Sequence, residues 1–553
     1  MNLRSRKLSA SAAAVTAAVA VLATTVTAAP HGAPDLTNVQ TANTKSDGYA
    51  PASKLSPELI QTAVAQGSTR LENPSALTSY YGYYNDTLNA AGQPQMLPTP
   101  TTPTEAQKSE PDKNTYLVFN RLAGADQNYD YGRHFLFQGH ELGSGGASYI
   151  TRINLDADAA HRVTLLATKD ANGAPIAGID GSTWDPWAHR LLFTTENSSA
   201  PTYAATPSYP STVTDISGAV GRGGYEGIQN DSDGNLWIAE DIGGPNKPGT
   251  TAKIPNSFLY RYVPRHPGDL SNGKLQVLQV LNDAGNPITF ESQTPLNSPD
   301  QLALHTYGKN FRTKWITIHD TATDGTAPFT ANPLAKAAHA TPFKRPENGL
   351  FRPNTGFRQF LFDETGDTNA TSPENDTAGG WTGVFKVTQQ DPSANTGTIT
   401  LFYKGDQAHA GFDNVAFLSH DLVTFVEDAG DTLHSQRNAL DSGYVFNLRT
   451  DYSKQANQPV RWLAEGRDPS ATIDSANGGF GKNEGDNEIT GAHVSNGDPS
   501  THGILGAQDP RLGHGGWRWF YTQQHGDNTT YEVLLSRHGG FDHGDYGDHG
   551  HEH

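Results

Sequence analysis

The sequence predicts an all-β fold, a six-bladed β-propeller with loop and short-helix insertions, on two observations. Segments 224–243 and 411–430 share one pattern: Gly, an aromatic residue, an acid, a turn and a short apolar strand ending in Glu-Asp-x-Gly. Elsewhere in the body of the chain, helical periodicity is scarce, and short apolar runs recur between Gly, Asp, Asn and Pro. A strand unit repeated around an axis is typical of a propeller.

Six short apolar runs that end in or near an acid or a His are the candidate blades. They lie at residues 135–141, 191–196, 236–241, 314–320, 422–428 and 517–525. The longer intervals at 245–295 and 325–400 are then insertions that decorate one face. A β-sandwich made of the same strands is the alternative, because strand count alone does not separate the two architectures.

We predict four segments along the chain: a signal peptide (1–28), an extended low-complexity N-terminal arm (29–113), the propeller (114–536) and a disordered tail rich in His, Asp and Gly (537–553). The first segment has a basic start and an apolar run too short to span a membrane, which predicts export to a secreted, extracellular location. An uncleaved anchor is the alternative. Within the arm, one short helix is expected near residues 56–66.

Composition limits the possible partners and chemistry. The formal net charge is −19, which disfavours nucleic acid and anionic membranes as partners and suits cation capture. Acidity that merely keeps an exported protein soluble is the alternative interpretation. The absence of Cys excludes disulfides, thiolate metal ligands and a Cys nucleophile. We expect a monomer that acts on a small molecule.

Acids at strand ends are the predicted metal ligands, because the inner strands of a propeller end at its central channel. Carboxylates that converge without neutralising bases need cations, and oxygen ligands suit Ca²⁺. Glu141, Glu196, Glu240 and Glu427 are expected to converge, although any one of them could instead be a solvated acid at a strand end. The full set of predicted ligands is Glu141, Glu196, Glu226, Glu240, Asp241, Glu347, Asp413, Glu427, Asp428 and Glu488.

Arg345 is the predicted catalytic residue. It precedes Glu347 by two positions, and a guanidinium there offers a planar fork to an oxyanion that a cation already holds. A surface ion pair is the alternative. Other hydrolytic schemes are disfavoured, because the chain has no G-x-S-x-G elbow, phosphate-binding P-loop or H-E-x-x-H motif. The acidic loop with Glu484 and Asp486 has the composition of a calcium loop without its spacing.

In the order of these motifs the chain resembles the PhoX-type alkaline phosphatase family, secreted six-bladed propellers whose active site holds calcium and iron. The resemblance covers about residues 115–532 and rests on segments 139–141, 194–197, 239–241, 258–263, 345–347 and 412–417. It implies that Glu196, Glu240 and Glu347 hold metal and that Arg345 contacts phosphate. The family's Cys, which bridges the irons, is replaced here by Thr195. Calcium is therefore the expected cofactor, and iron is disfavoured.

The predicted function is that of a secreted metal-dependent phosphoric ester hydrolase with a carboxylate-held polynuclear site containing calcium. One alternative is a calcium-dependent hydrolase similar to phytases or lactonases. The other is a non-catalytic propeller in which calcium is structural and the insertions bind a partner. Loss of the family Cys favours the binding module. Arg345 beside Glu347 argues against it, because a nearby cation does not stabilise a structural calcium site.

Overall fold

The structure is a computed structural model that describes residues 35–45, 52–97, 104–141, 147–291, 298–467 and 488–536. The predicted signal peptide, the His-rich tail, Glu484 and Asp486 lie outside the described residues. Within the described ranges, no helix is both long and apolar enough to cross a membrane.

Strands dominate the described residues. They are β1 (Lys54–Leu55), β2 (Leu59–Ala65), β3 (Thr78–Tyr80), β4 (Tyr83–Tyr84), β5 (Thr115–Val118), β6 (His134–Gly139), β7 (Ile150–Asn154), β8 (Val163–Ala167), β9 (Ser182–Asp185), β10 (Arg190–Phe193), β11 (Tyr203–Ala205), β12 (Val213–Asp215), β13 (Tyr225–Asn230), β14 (Leu236–Glu240), β15 (Leu259–Pro264), β16 (Gly273–Leu281), β17 (Phe311–Asp320), β18 (Pro346–Phe351), β19 (Gln359–Glu364), β20 (Gly383–Gln389), β21 (Thr396–Lys404), β22 (Phe412–Phe417), β23 (Leu422–Glu427), β24 (Ser442–Asn447), β25 (Val460–Ala464), β26 (Ile489–Ser495), β27 (Arg518–Gln523) and β28 (Thr529–Leu535). The helices are short: α1 (Ser217–Val220), α2 (Pro299–Leu304), α3 (Thr321–Asp324), α4 (Ala331–Ala337), α5 (Gly430–Arg437) and a 3₁₀ turn at Thr501–Gly503.

The sheets form a propeller-like, all-β arrangement. Four sheets have blade size, with strand orders β5-β6-β7-β8, β12-β11-β10-β9, β1-β25-β24-β23-β22 and β2-β28-β27-β26. A fifth sheet has nine strands in the order β13-β14-β15-β16-β17-β21-β20-β19-β18, and β3 pairs with β4. The all-β class is thus confirmed, whereas four blade-sized sheets and one large sheet stand where six separate blades were expected.

The large sheet nearly closes on itself around an aromatic core. Trp237 on β14 lies with its ring centroid 4.9 Å from that of Trp315, 5.1 Å from that of Phe351 and 4.8 Å from that of Phe360. These rings come from β14, β17, β18 and β19, so burial of their apolar surface draws the two ends of the sheet together.

Six strands surround the centre of the molecule, and we call them the inner strands: β5, β9, β13, β18, β22 and β26. Each contacts the next, and β26 contacts β5, so the ring is closed. Four inner strands also begin with the same irregularity in their pairing with the neighbouring strand, a bulge that re-aims side chains at the start of a strand. These register shifts lie at Tyr225/Ile228, Pro346/Gly349, Phe412/Val415 and Thr490/His493.

The segment before residue 113 supplies strands to the body. Residues 59–65 form β2, which pairs antiparallel with β28, so the helix expected near residues 56–66 is wrong. The exposed edge of β28 offers unpaired backbone groups, and their pairing outweighs the weak local helix signal. In the same way β1 pairs with β25. The boundary of the predicted arm stays a prediction.

We expect β1 and β2 to be needed for full stability. A chain that begins at Gly67 should lose several kcal/mol of unfolding free energy, because each lost backbone hydrogen bond contributes about 0.5–1.5 kcal/mol. Denaturant melts that compare it with a chain beginning at Ala52 measure the difference. Coincident melts would show that these strands contribute nothing.

Candidate metal centre

One backbone hydrogen bond recurs where the inner strands begin. A residue one or two positions after the strand next to an inner strand donates its N–H to the carbonyl of a residue one to five positions before that inner strand, at 2.8–3.0 Å. We call these donors the exit residues. The donor and acceptor pairs are Glu141 and Glu110, Thr194 and Gly181, Asp241 and Gly224, Thr365 and Arg345, Asp428 and Gly411, and Gln524 and Glu488. The bond fixes each exit residue beside the start of an inner strand.

Carboxylates from these positions come together at the centre. They form three groups, and within each group one oxygen from every residue lies within 4.8 Å of the others. The groups share Asp180 and Glu226, so the run is continuous. We call its seven members the acid cluster: Asp112, Glu141, Asp180, Glu196, Glu226, Asp241 and Glu347. Glu196 is exposed, whereas Glu141 is partly buried and the other five are buried, so the cluster opens to solvent beside Glu196.

Further predicted ligands lie close enough to the acid cluster to interact with it electrostatically. Burial, followed by the negative charges of Asp112 and Asp428, raises the pKa of Asp413 to about 8. Burial also raises the pKa of Glu488 well above its ordinary value, with added repulsion from Asp428 and Asp413. Negative charge therefore continues around the ring beyond the seven acids.

Of the ten predicted ligands, five belong to the acid cluster: Glu141, Glu196, Glu226, Asp241 and Glu347. Three more, Asp413, Asp428 and Glu488, lie near it. Whether any of these eight binds metal stays a prediction. The remaining two, Glu240 and Glu427, make their contacts elsewhere, so the expected convergence of all four strand-end Glu residues needs correction.

Glu240 points into the sheet. Its Oε2 accepts hydrogen bonds from the Phe258 amide at 3.0 Å, the Tyr260 hydroxyl at 3.1 Å and the Asn332 side chain at 3.1 Å. Burial raises the pKa of Glu240 to about 8. Successive side chains of a strand point to opposite faces, so Asp241 faces the centre where Glu240 does not.

Glu427 is likewise structural. Its carboxylate pairs with Arg437 at 2.9 and 3.1 Å and accepts the Ala410 amide at 3.0 Å. Glu364, which sequence reasoning missed, occupies the same place in its sheet and accepts the Lys344 amide at 3.0 Å. Both amides belong to the residue that precedes the acceptor of the recurring backbone bond. Glu364 and Glu427 therefore hold the entries of two inner strands through these amides, whereas Glu240 binds β15, the next strand of its sheet.

Sequence reasoning also missed Asp112 and Asp180. Asp112 lies two residues after Glu110, the relation that Glu226 has to Gly224 and Asp413 has to Gly411. The two-residue offset was the signal that could have identified Asp112, although Glu110 stands where the other two segments have Gly. Asp180 does not share that offset: in its sheet the recurring bond runs from the Thr194 N–H to the Gly181 carbonyl at 3.0 Å, and Asp180 precedes the acceptor instead of following it.

Arg345 lies within hydrogen-bonding distance of the acid cluster. Its Nε donates to Asp241 Oδ1 at 3.0 Å, its Nη2 donates to Asp241 Oδ2 at 2.9 Å, and Nη2 lies 3.2 Å from Glu347 Oε1. Its φ of 59° is left-handed, and the equivalent residues before two other inner strands are Gly224 and Gly411, at 61° and 67°. A side chain is unusual in this conformation, and such strain is concentrated at functional sites.

Two lysines lie near the same acids. Lys113 is buried and donates to Asn414 Oδ1 at 2.9 Å and to the Ala492 carbonyl at 3.0 Å. Burial lowers the pKa of Lys113, and the negative charge of Asp413 opposes that shift. Lys253 lies near Arg345. Burial lowers the pKa of Lys253, and the positive charge of Arg345 lowers it further.

The cluster suits a hard cation. Burial, followed by repulsion from neighbouring carboxylates, raises the pKa of Glu141, Asp180, Glu226 and Glu347 well above the ordinary range. Asp180 Oδ1 is buried and accepts no hydrogen bond from the described residues. A bound cation would satisfy that oxygen and relieve the repulsion.

At the position of the PhoX-type family's Cys, this chain has a residue that offers no thiolate to a cation. Thr195 is buried beside Glu196, and its hydroxyl donates to the Pro201 carbonyl at 3.0 Å. The acid cluster contains neither Cys nor His. Its donors are carboxylate oxygens, which suit calcium rather than a soft metal.

The comparison with solved structures finds a likeness in fold. PhoX from Pseudomonas fluorescens, solved in complex with vanadate, a transition-state analogue, is similar with a TM-score of 0.53 and 11% identity, over 90% of this chain and 98% of that one. A GH43_1 enzyme from Xanthomonas citri is 10% identical with a TM-score of 0.29, over 61% and 87%. Sqt1 from Chaetomium thermophilum is 10% identical with a TM-score of 0.29, over 78% and 97%. No family model and no curated protein matches the chain. The likeness to PhoX shows the fold alone.

Two adjacent acids should respond differently to calcium. A cation that binds only the folded state stabilises it, by about 2.7 kcal/mol at a hundredfold excess over Kd. Asp241→Asn should shrink the calcium-induced rise in melting temperature, because it removes a carboxylate of the acid cluster. Glu240→Gln should leave that rise unchanged. Thermal melts with calcium and with chelator measure both, and equal loss in the two variants would contradict this division.

Without metal, stability should fall as pH rises. The folded protein holds protons on Asp413 up to a pKa of about 8 and on Asp112 up to about 6, whereas the ordinary value is 3.8. The folded state thus binds more protons than the unfolded state between about pH 4 and 8, so the unfolding free energy decreases across that range. Melts of chelator-treated protein should show the decrease, and saturating calcium should reduce it. A metal-free protein as stable at pH 8 as at pH 6 would contradict the expectation.

Proposed function

We propose that the protein is a secreted, metal-dependent phosphoric ester hydrolase. One observation carries the proposal: a guanidinium, that of Arg345, lies within hydrogen-bonding distance of buried carboxylates at the centre of a propeller-like fold. The similar fold of PhoX has been solved with vanadate, described as a transition-state analogue. The basic start and short apolar run of residues 1–28 support export.

We further propose that the acid cluster holds calcium ions. Calcium takes oxygen ligands at 2.3–2.6 Å, so two ligands on opposite sides of one ion lie about 4.8 Å apart. The carboxylate oxygens of each group lie within that same distance of one another. The ligands are Asp112, Glu141, Asp180, Glu196, Glu226, Asp241 and Glu347, with Asp413, Asp428 and Glu488 as further donors. Thr195 supplies no thiolate, so a thiolate-bridged iron centre is not part of the proposal.

Each residue near the phosphate has a distinct role. Calcium, when bound, supplies positive charge that neutralises phosphate oxygens and favours attack by water on phosphorus. Arg345 orients the phosphate and stabilises the charge that develops on it. Asp241 fixes the guanidinium through Nε and Nη2, which leaves Nη1 without an acceptor among the described residues. The opening beside exposed Glu196 is the route for the ester.

The architecture that supports this site is, we propose, six-bladed. In the nine-stranded sheet, β13–β16 and β18–β21 are each an antiparallel run of four strands whose first strand is an inner strand. β17 pairs with both β16 and β21 and so joins two blades at their outer edges. With the four separate sheets this gives six, one for each inner strand.

A non-catalytic, calcium-stabilised binding module is the second candidate. It is favoured by the two hydrogen-bonded nitrogens that tie Arg345 to Asp241 and by Thr195 at the family's Cys position. In this alternative Arg345 offsets carboxylate charge, as a second cation would, and contacts no substrate.

Substitution of Arg345 separates the two candidates. If Arg345 stabilises the transition state, Arg345→Ala should lower turnover of a phosphomonoester by about 10²-fold or more. Arg345→Lys should restore only part of it, because an ammonium keeps the charge and loses the fork. Arg449→Ala, at a side chain that is 62% exposed, is the matched control and should retain activity.

Steady-state assays with added calcium, together with metal analysis of each variant, give the measurement. Metal content should be unchanged in Arg345→Ala, because a guanidinium coordinates no cation. A calcium-loaded wild-type protein that cleaves neither phosphomonoesters nor phosphodiesters would exclude the hydrolase and leave the binding module. An active enzyme indifferent to Arg345→Ala would exclude only the role given to Arg345.

A further inference from the structure

A second charged site lies away from the acid cluster and has the opposite sign. It is a cavity of about 860 Å³ whose lining residues include no acid. Four of them are permanently cationic: Arg312, Lys314, Arg352 and Arg358. We call it the basic cavity. In a chain with a net charge of −19, a cavity with four cationic lining residues and no acidic one is unexpected.

The basic cavity lies at the opposite end of the strands that carry the proposed active site. Glu347 is at the start of β18, and Arg352 follows its last residue. On β19 the order is reversed, with Gln359 at the cavity and Glu364 near the centre. At 3.3 Å per residue, Glu347 and Arg352 are about 16 Å apart along the strand. A ligand in the cavity is therefore distinct from the proposed substrate.

One wall of the cavity is a sheet face with a repeating pattern. Arg312 and Lys314 are two residues apart on β17, so both project from the same face, and both are exposed. On β21 they lie opposite Thr398 and Thr396. Cations and hydroxyls thus alternate across two neighbouring strands. Guanidinium, ammonium and hydroxyl groups are the donors that bind oxyanions.

The four cations of the cavity differ in whether they form an ion pair with an acid. Arg352 donates to the His420 carbonyl and pairs with Asp421. Among the described residues, by contrast, Arg312, Lys314 and Arg358 form no ion pair. Three cations that face one cavity repel one another, and a bound anion would remove the repulsion. Arg358 reaches the cavity from the β18–β19 loop, so the donors come from more than one side.

We propose that the basic cavity binds a small polyanion with two or more phosphate or sulfate groups. Its volume falls within the range of small-molecule sites, about 300–1,000 Å³, and is larger than a single orthophosphate requires. Three unpaired cations also favour more than one anionic group. This site does not depend on the proposed hydrolase function.

Binding of a fluorescent polyanion that is no phosphatase substrate tests the proposal. Hydroxypyrene trisulfonate is titrated with calcium-saturated protein and followed by fluorescence anisotropy. The Arg312→Gln/Lys314→Gln double variant should bind it at least about tenfold more weakly, because two charge-assisted contacts are lost. Both residues are exposed, so melting temperature should stay unchanged. Arg345→Ala should bind the dye like wild type, which separates this site from the proposed active site.

A matched control shows whether net charge alone explains the binding. Arg265→Gln/Lys454→Gln removes two exposed cations outside the cavity and should bind the dye like wild type. Equal weakening in the two double variants, or no binding by wild type, would overturn the proposal. Competition then distinguishes the ligand groups: displacement by tripolyphosphate identifies phosphate, and displacement by a disulfated disaccharide identifies sulfate. Displacement by neither would also overturn the proposal.

Discussion

Negative charge held away from water is the constraint on which the centre of this molecule depends. Carboxylates that share a desolvated site cannot all ionise without cations, and the protein has three ways to meet that requirement. Protons can remain on Asp413 and its neighbours, as their raised pKa values indicate. Arg345 and Lys113 supply fixed positive charge. Under the proposed function, bound cations would supply the rest, and the share of each would change with pH and calcium concentration.

Backbone geometry decides which acids take part. The bond from each exit residue to the carbonyl before an inner strand recurs at all six inner strands, so the backbone repeats even where the side chains differ. Asp241 and Asp428 occupy this position and face the centre, while Glu240 and Glu427 beside them hold the sheet together. The same backbone position is occupied by Thr194, Thr365 and Gln524 beside the other inner strands. Variation at one backbone position thus makes acidic exit residues (Glu141, Asp241 and Asp428) alternate with uncharged ones around the ring of inner strands.

Much of the fold and of the candidate site was predictable from the repeated segment. The pattern shared by residues 224–243 and 411–430 identified the all-β class and the zone of carboxylates. It could not separate Glu240 from Asp241, because which of two adjacent residues faces the centre depends on the strand register and the bulge that precedes it. The strand at residues 59–65 was missed for a different reason. Its conformation is set by β28, which lies far away in the sequence, and local propensity carries no information about that partner.

The pairing of β2 with β28 has a consequence for the order of assembly. The sheet that contains β26 needs a strand from before residue 66 and three strands from after residue 488, so it cannot form until nearly the whole chain has been synthesised. Until then the ring of inner strands has a gap between β22 and β5. Glu488 and the side of the centre that includes Asp112 then lack their final surroundings. Completion of the acid cluster is therefore a late event in the biogenesis of this protein, and the proposed ion site would be complete only once both ends of the chain have met.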